Sequence, residues 1–137
     1  MEPVSIASFF SLLREGEIKD LELQDGNLQF RVYLPKLAAL RGEGFTHFLC
    51  SLGEVSGLSL QPFRNESTEI KDLKQIGLLQ LRIERAEASG LQVKVFCAHR
   101  AGASGARLSF KAARFSVWDE AFDAVTVAEL AMLRGRL

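Results

Sequence analysis

Apolar and polar residues alternate over several short stretches of this chain, and that period of two is the feature that most limits its fold. Residues 28–34 alternate after the dipeptide Asp25-Gly26, and residues 79–84 and 91–97 alternate on either side of Ser89-Gly90. Successive side chains of a β-strand point to opposite faces, and Asp-Gly readily adopts the positive φ angles of a tight hairpin. The pattern therefore predicts antiparallel hairpins with one face turned to a core. The predicted inward residues are Leu28, Phe30, Val32, Leu34, Leu79, Leu81, Ile83, Leu91, Val93, Val95 and Cys97.

Further strand signals occupy most of the remaining chain. Residues 17–24 predict the first strand of the earlier hairpin, and residues 45–52 and 57–63 predict a second strand pair. A long strand is predicted at residues 106–118, but its apolar parity changes near Ala112-Ala113. One extra residue there would restore the parity, which indicates a β-bulge or a bend.

Helices are predicted only near the two ends of the chain. Ser5 is the candidate cap of the first helix, and Gly16 is the candidate residue with positive φ after its last turn. The apolar stripe of this helix consists of Ile6, Phe9, Phe10 and Leu13. We expect the stripe to dock on the domain's own core, and a partner-binding or dimerising helix is the alternative. Residues 127–134 predict the second helix, because Thr126 and Glu129 have the spacing of a capping box.

About eight short strands with helices only at the ends predict a mainly β fold, either an antiparallel β-sandwich or a barrel. No interior segment is long enough for a convincing crossover helix, which argues against a parallel, nucleotide-binding fold. The 137 residues fit a single β-rich domain, 1–137. A chain of that length can bury a core large enough to fold without disulfides or metal.

The run Glu-Ile-Lys-Asp-Leu occurs twice, at residues 17–21 and 69–73, and an alternating apolar stretch follows each copy. This self-similarity predicts an internal repeat of residues 17–68 and 69–118. Chance likeness between alternating strands is the alternative. If the halves are copies, Glu17 and Glu69 should occupy related places about an approximate two-fold axis.

Charge and composition give little direct indication of function. Lys plus Arg and Asp plus Glu both number 17, so the chain has no net charge to draw it to nucleic acid or an anionic membrane. The start Met1-Glu2-Pro3 is acidic where a signal peptide would be basic, and two cysteines make no disulfide framework. We therefore expect a cytoplasmic protein that does not bind a membrane. In that compartment Asn65-Glu66-Ser67 is a surface turn rather than a glycosylation site.

Two cysteines and two histidines are the first candidates for chemistry. They are His47, Cys50, Cys97 and His99. The four side chains could together bind zinc or supply a Cys-His nucleophilic pair. Their spacing argues against both, because His47 and Cys50 project to opposite faces of one strand and Cys97 falls among inward apolar residues. We expect buried cysteines that behave as small apolar residues, and neither a metal nor a cofactor.

Two further motifs are given structural interpretations. The loop Gly102-Ala103-Ser104-Gly105 lacks the lysine of a phosphate-binding loop and the flanking glycines of a serine nucleophile. Asp119, Glu120 and Asp123 precede the last helix, where acidic side chains solvate a turn and favour the helix N-terminus. A general-acid pair or a metal site is the alternative for these three carboxylates.

A basic and aromatic face is predicted within residues 82–118. Between Gln92 and Trp118 the chain carries five basic residues and no acidic one. Strand alternation places the candidate binding residues on the outward face, and they are Arg82, Lys94, Phe96, Arg107, Lys111, Arg114 and Trp118. Cations interleaved with aromatic rings suit single-stranded nucleic acid or an acidic protein. An ordinary solvated sheet face protected by lysine and arginine is the alternative.

Three functional hypotheses follow. The first is a non-catalytic domain that binds a protein partner, or a second copy of itself, through its sheet face. The second is a domain that binds nucleic acid or another acidic ligand through the face within residues 82–118. The third is an enzyme whose site assembles around His47 and His99.

Overall fold

The computed structural model of the chain describes residues 1–64, 67–99 and 105–137, with nothing said of the side chain of His99. This part of the chain forms eight strands and four helices. The strands are β1 (Glu17–Gln24), β2 (Asn27–Tyr33), β3 (His47–Gly53), β4 (Ser56–Pro62), β5 (Leu81–Ser89), β6 (Gln92–His99), β7 (Ala106–Lys111) and β8 (Arg114–Trp118). The helices are α1 (Pro3–Leu12), α2 (Pro35–Ala38), α3 (Leu73–Leu78) and α4 (Val127–Gly135). The prediction of a mainly β, antiparallel fold is confirmed.

All eight strands belong to one antiparallel sheet, in the order β4-β7-β6-β5-β1-β2-β3-β8. The predicted pairing of residues 45–52 with 57–63 is wrong, because β3 pairs with β2 and β8 whereas β4 pairs with β7. Backbone bonds at the β3–β4 junction lead to the connections between other strands: Ala113 N donates to Gly53 O at 2.8 Å, and Val55 N donates to Gly26 O at 2.8 Å. The chain therefore continues past the junction instead of folding back as a hairpin.

Short links force the sheet to curl. Only two residues separate β3 from β4, and only Ala112 and Ala113 separate β7 from β8. Each link joins strands that are six positions apart in the sheet order, which would be about 29 Å in a flat sheet. Three Cα–Cα steps span at most about 11 Å. The two edges consequently approach each other at this bend, where Gly53 pairs with Arg114 and Ser56 pairs with Lys111. The break predicted near Ala112-Ala113 is confirmed.

Helix α1 fills the inner side of the curled sheet. The Phe10 ring lies 6.0 Å from Phe30 on β2, 5.8 Å from Phe110 on β7 and 4.6 Å from Phe115 on β8, measured between ring centroids. The rest of the stripe, Ile6, Phe9 and Leu13, is also buried. The expectation that the stripe docks on the domain's own core is therefore correct. Helix α4 packs alongside α1 and buries Leu130 and Leu133.

The predicted ends of α1 are corrected at both termini. The helix begins at Pro3, with Glu2 rather than Ser5 as the N-cap residue, because proline's fixed φ suits the first helical position. After the helix Glu15 adopts φ 75°, while Gly16 has another role. A Cβ at Gly16 would lie 2.3 Å from Cγ1 of Val32, so close packing of the chain against β2 requires glycine there. The capping box of α4 is confirmed at Thr126 and Glu129.

Two further expectations need correction, one for the second hairpin and one for the helices. Leu91 does not face the core; it lies in the β5–β6 turn after Gly90 and is 71% exposed. The prediction that helices occur only near the ends is also wrong, because residues 73–78 form α3. The Asp72 side chain accepts a hydrogen bond from Lys74 N at 3.0 Å, which caps this helix.

The two Glu-Ile-Lys-Asp-Leu runs occupy different places. Glu17 opens β1, whereas Glu69 lies outside the strands, beside an isolated bridge between Leu60 and Ile70. The sheet order has an internal symmetry. If β1 is exchanged with β5, β2 with β6, β3 with β7 and β4 with β8, the order is the same read from the other edge. That symmetry is centred on the pairing of Glu17 with Arg82. Any two-fold axis thus relates Glu17 to Arg82. The expectation that Glu17 and Glu69 occupy related places is wrong, and duplication of the chain remains a prediction.

Candidate binding surface on the outer sheet face

The outer face of the sheet carries the residues that alternate with the core. Phe96 lies opposite Arg107, and Lys94 lies opposite Ser109. Arg82 projects from the next strand, β5, where it faces Ala98. Lys111 ends β7, two residues after Ser109 and on the same face. The structure therefore brings together five of the seven predicted binding residues, on β5, β6 and β7.

The other two predicted residues are separated from this group. Arg114 begins β8, after the bend that follows Lys111. Trp118 lies at the far end of β8, opposite Leu49 of β3. Because β8 leaves the bend at Arg114 and Trp118 lies at its opposite end, Trp118 belongs to another region of the outer face. The predicted set is not one contiguous patch.

Neighbouring side chains already engage much of the basic group. The Arg85 guanidinium lies 3.8 Å from the centre of the Phe96 ring, and the Phe63 ring lies 6.3 Å away. Arg107 donates to the Gln61 side chain, and Glu87 stands opposite Lys94. These contacts leave less ring surface and less uncompensated charge on β6 and β7 than the sequence indicates.

A cleft of about 500 Å³ opens on the outer face of the other half of the sheet. It extends from β1 across β2 and β3 to β8 and the turn that follows β8. Its lining residues are Asp20, Glu22, Gln29, Phe30, Arg31, Leu49, Cys50, Ser51, Trp118 and Phe122. Of these only Trp118 was predicted as a binding residue.

Phe122 has an unusual backbone conformation for its size. It adopts φ 63°, in the left-handed region, and it is 75% exposed. A bulky residue is rarely found there, because its Cβ crowds the following carbonyl at a cost of about 1–2 kcal/mol. Its backbone N–H donates to Asp119 O at 3.0 Å. The surrounding turn therefore holds an exposed aromatic ring in a strained position.

Asp119 organises that turn from within. Its carboxylate is buried, with the residue only 3% exposed, and Oδ1 accepts hydrogen bonds from Ala121 N at 2.9 Å and Asp123 N at 3.1 Å. Oδ2 accepts from Arg41 Nε at 3.0 Å. The interpretation of this acidic cluster as a solvated turn is therefore wrong for Asp119, which has a structural role.

Two more contacts tie the turn to its surroundings. Arg41 also donates from Nη1 to Glu129 Oε2 at 2.7 Å, so one guanidinium joins the turn to the start of α4. Burial alone would lower the pKa of Arg41, but its hydrogen bonds to Glu129 and Asp119 outweigh burial and raise it. Glu120 Oε2 accepts from Thr46 N at 2.7 Å, and Oε1 lies 3.3 Å from His47 Nδ1. The turn is thus held by contacts on both sides, through Arg41 to α4 and through Glu120 to Thr46 and His47.

The opposite end of the cleft is acidic. Asp20 Oδ2 lies 3.6 Å from Arg31 Nε, in an exposed ion pair. Glu22 is exposed, and within the described residues its carboxylate has no ion-pair or hydrogen-bond partner. One carboxylate at this end therefore remains uncompensated.

The candidate nucleophiles are poorly placed for chemistry. Burial raises the pKa of the Cys50 thiol, and burial followed by the nearby Glu84 charge raises that of Cys97 to about 12. Both cysteines are free and buried, as their apolar neighbours predict. Across the part of the chain that the structure describes, no group of three or more His, Cys, Asp and Glu side chains is positioned to hold a metal ion.

Some expectations fall outside the described residues. They concern the Asn65-Glu66-Ser67 turn, most of the Gly102-Ala103-Ser104-Gly105 loop, Arg100 and the side chain of His99. None of the helices in the described ranges is long and apolar enough to span a bilayer.

Comparison with protein-family models, curated proteins and solved structures finds no match to this chain. The function has to be inferred from the geometry of the outer face alone.

Sequence reasoning missed most of the cleft. Phe122 stands in a short connection between a strand and a helix, where its type alone does not indicate exposure. The available signal was local: Asp119 begins a turn whose backbone it can bind, as Asp side chains often do, and Phe122 is the only large apolar residue among polar and small ones there. An aromatic residue inside such a turn is a candidate surface anchor.

Proposed function

We propose that this protein is a non-catalytic binding domain that holds a partner protein against its outer sheet face, at the cleft between Trp118 and Phe122. The observation that carries the proposal is the Phe122 turn. An exposed aromatic ring is held on left-handed backbone by a buried carboxylate and an arginine.

The energetics of Phe122 support a binding role. Glycine or asparagine would form the same turn with less strain, so the phenylalanine is unfavourable for the free protein. Fully burying such a side chain contributes about 1.5–3 kcal/mol. Residues held in strained backbone conformations cluster at ligand-binding sites, and aromatic anchors dominate the energy of many protein interfaces. A partner that covers the ring would recover the cost of presenting it.

Site-directed photo-crosslinking tests the proposal. Benzoylphenylalanine in place of Phe122 should crosslink a partner protein in cells. The matched control places the same group at Leu91, another exposed apolar residue on a turn, and should give no such product. Equal products from both positions, or none from Phe122, would contradict the proposal. A product of twice the chain mass would identify a second copy as the occupant instead.

A second candidate is an acidic ligand, such as nucleic acid, on the basic group. The observation that favours it is the adjacency of Lys94, Phe96 and Arg107 on β6 and β7. The double variant Lys94→Glu, Lys111→Glu should abolish binding of such a ligand and leave crosslinking from Phe122 intact. Unchanged binding of a nucleic acid to that variant would sink this candidate.

A further inference from the structure

The distribution of charge along the cleft specifies its occupant more closely, on the basis of the proposed function. We propose that the cleft takes an extended segment of the partner with one large apolar side chain and a lysine or arginine two to four residues away. The apolar side chain enters between Trp118 and Phe122. The cation reaches Glu22.

The dimensions of the cleft set this spacing. Its lining runs across the strands from β8 through β3 and β2 to β1. Three strand spacings amount to about 14 Å, which an extended peptide covers in about four residues. Long basic side chains extend that reach, so a separation of two residues also suffices.

The apolar end of the cleft has room for a side chain. Trp118 and Phe122 both line it, and Leu49 lies opposite Trp118 across the β3–β8 ladder. Within the described residues the Trp118 and Phe122 rings do not form an aromatic pair with each other. An inserted side chain would therefore meet apolar surface on more than one side.

The middle of the cleft suits a peptide backbone. Gln29 and Ser51 face each other across β2 and β3 and line its floor. Their amide and hydroxyl groups both donate and accept hydrogen bonds. They provide partners for an extended main chain without restricting the side chains that it carries.

The charge of the occupant follows from the uncompensated carboxylate. Arg31 is paired with Asp20, which leaves Glu22 available to an incoming cation. A basic side chain of the occupant is therefore attracted to Glu22, which favours binding with the cation at this end of the cleft.

Selection from a random library of twelve-residue peptides tests the proposal. The purified protein serves as bait, and the library is first depleted on the Phe122→Asn variant, because asparagine tolerates the left-handed backbone. Enriched peptides should carry Phe, Tyr, Trp, Leu or Met with Lys or Arg two to four positions away. Synthetic copies should lose at least ten-fold in affinity on Glu22→Lys, and replacing the peptide cation by Glu should restore binding to that variant.

The possible outcomes separate this inference from the proposed function. Peptides that need Phe122 but lack a cation, or that bind Glu22→Lys as well as the unchanged protein, would overturn the basic segment and keep the cleft as a site. If no peptide is enriched after the depletion step, the proposal of an extended basic segment is overturned. Absence of Phe122 crosslinking would overturn the proposed function as well.

Discussion

At the scale of the single residue, two positions contrast. Packing requires a glycine at position 16, whereas the backbone at position 122 has a conformation unfavourable for phenylalanine. A Cβ at Gly16 would meet Val32 Cγ1 at 2.3 Å and Leu13 O at 2.9 Å. Phe122 has ample space but occupies a conformation that phenylalanine disfavours. The two positions should therefore respond in opposite ways to substitution.

Gly16→Ala should lower the free energy of unfolding by about 1–3 kcal/mol, the usual cost of overpacking. Gly77→Ala is the matched control, because apart from its chain neighbours and the backbone of its own helix no atom lies within 4 Å of its added Cβ. Since Gly77 lies inside α3, the control should gain about 0.5–1 kcal/mol. Urea unfolding measures both changes. A Gly16→Ala protein as stable as the unchanged chain would contradict the packing described.

The two thiols should resist alkylation in the folded protein at neutral pH. The pKa of Cys97 is about 12, and burial also raises that of Cys50. Few thiolates therefore form, and reagents reach thiols poorly through a packed core. Mass spectrometry after iodoacetamide treatment should show no adduct in buffer and two in urea. Rapid modification of either thiol in buffer would show that it is accessible.

At the scale of the element, Arg41 connects three parts of the chain. It follows α2, binds Asp119 in the turn after β8 and binds Glu129 in the first turn of α4. Hydrogen bonds from Arg41 first, and then from Thr126, lower the pKa of Glu129. The position of the Phe122 turn is thus linked to the ionisation of Glu129.

This linkage predicts a pH dependence of stability. The pKa of Glu129 is lower in the folded than in the unfolded state. Its contribution to the free energy of unfolding is therefore fully present above the unfolded pKa of about 4.3, and it is lost as pH falls through the folded pKa. Glu129→Gln keeps an acceptor for the capping box but removes the charge. Unfolding midpoints measured from pH 6 to pH 2 should differ between the two proteins at pH 6 and converge in acid. A constant difference would contradict the linkage.

At the scale of the whole molecule, the curled sheet packs around α1. Phe10 contacts strands from both halves of the sheet at once, with Phe30 on β2 and Phe110 on β7. The helices cover the inner face, and the outer face remains available for binding. The proposed function therefore depends on an architecture that α1 holds together.

Phe10→Ala should lower the free energy of unfolding by about 3–5 kcal/mol, because it empties the centre of the core. Val4→Ala on the same helix is the control: Val4 is 58% exposed, and surface changes usually stay within about 0.5 kcal/mol. Thermal unfolding of both variants checks the prediction. Equal losses for the two would show that α1 is not the centre of the core.

Local signals predicted much of this fold. The Asp25-Gly26 hairpin, the break at Ala112-Ala113 and the Thr126 capping box all depend on contacts within a few residues, and all are confirmed. The burial of Cys97 follows from strand alternation in the same way.

Local signals could not predict which distant strands and side chains meet in the fold. The pairing of β4 with β7, in place of β3, depends on the curl of the whole sheet. The sheet order also separates Trp118 on β8 from Lys94 on β6, although alternation correctly puts both on the outer face. The turn that presents Phe122 is bound through Asp119 to Arg41, 78 residues away in the chain. The cleft and its acidic end therefore could not be predicted from local sequence signals.

Denaturant unfolding of the unchanged protein and of Phe122→Asn, each with and without a peptide selected on the cleft, tests the central claim most directly. The account predicts that the variant alone is more stable by about 1 kcal/mol, because the backbone strain is relieved. It also predicts that the peptide stabilises only the unchanged protein, since a ligand raises stability in proportion to its binding. A variant that is less stable than the unchanged protein, yet equally stabilised by the peptide, would contradict the account.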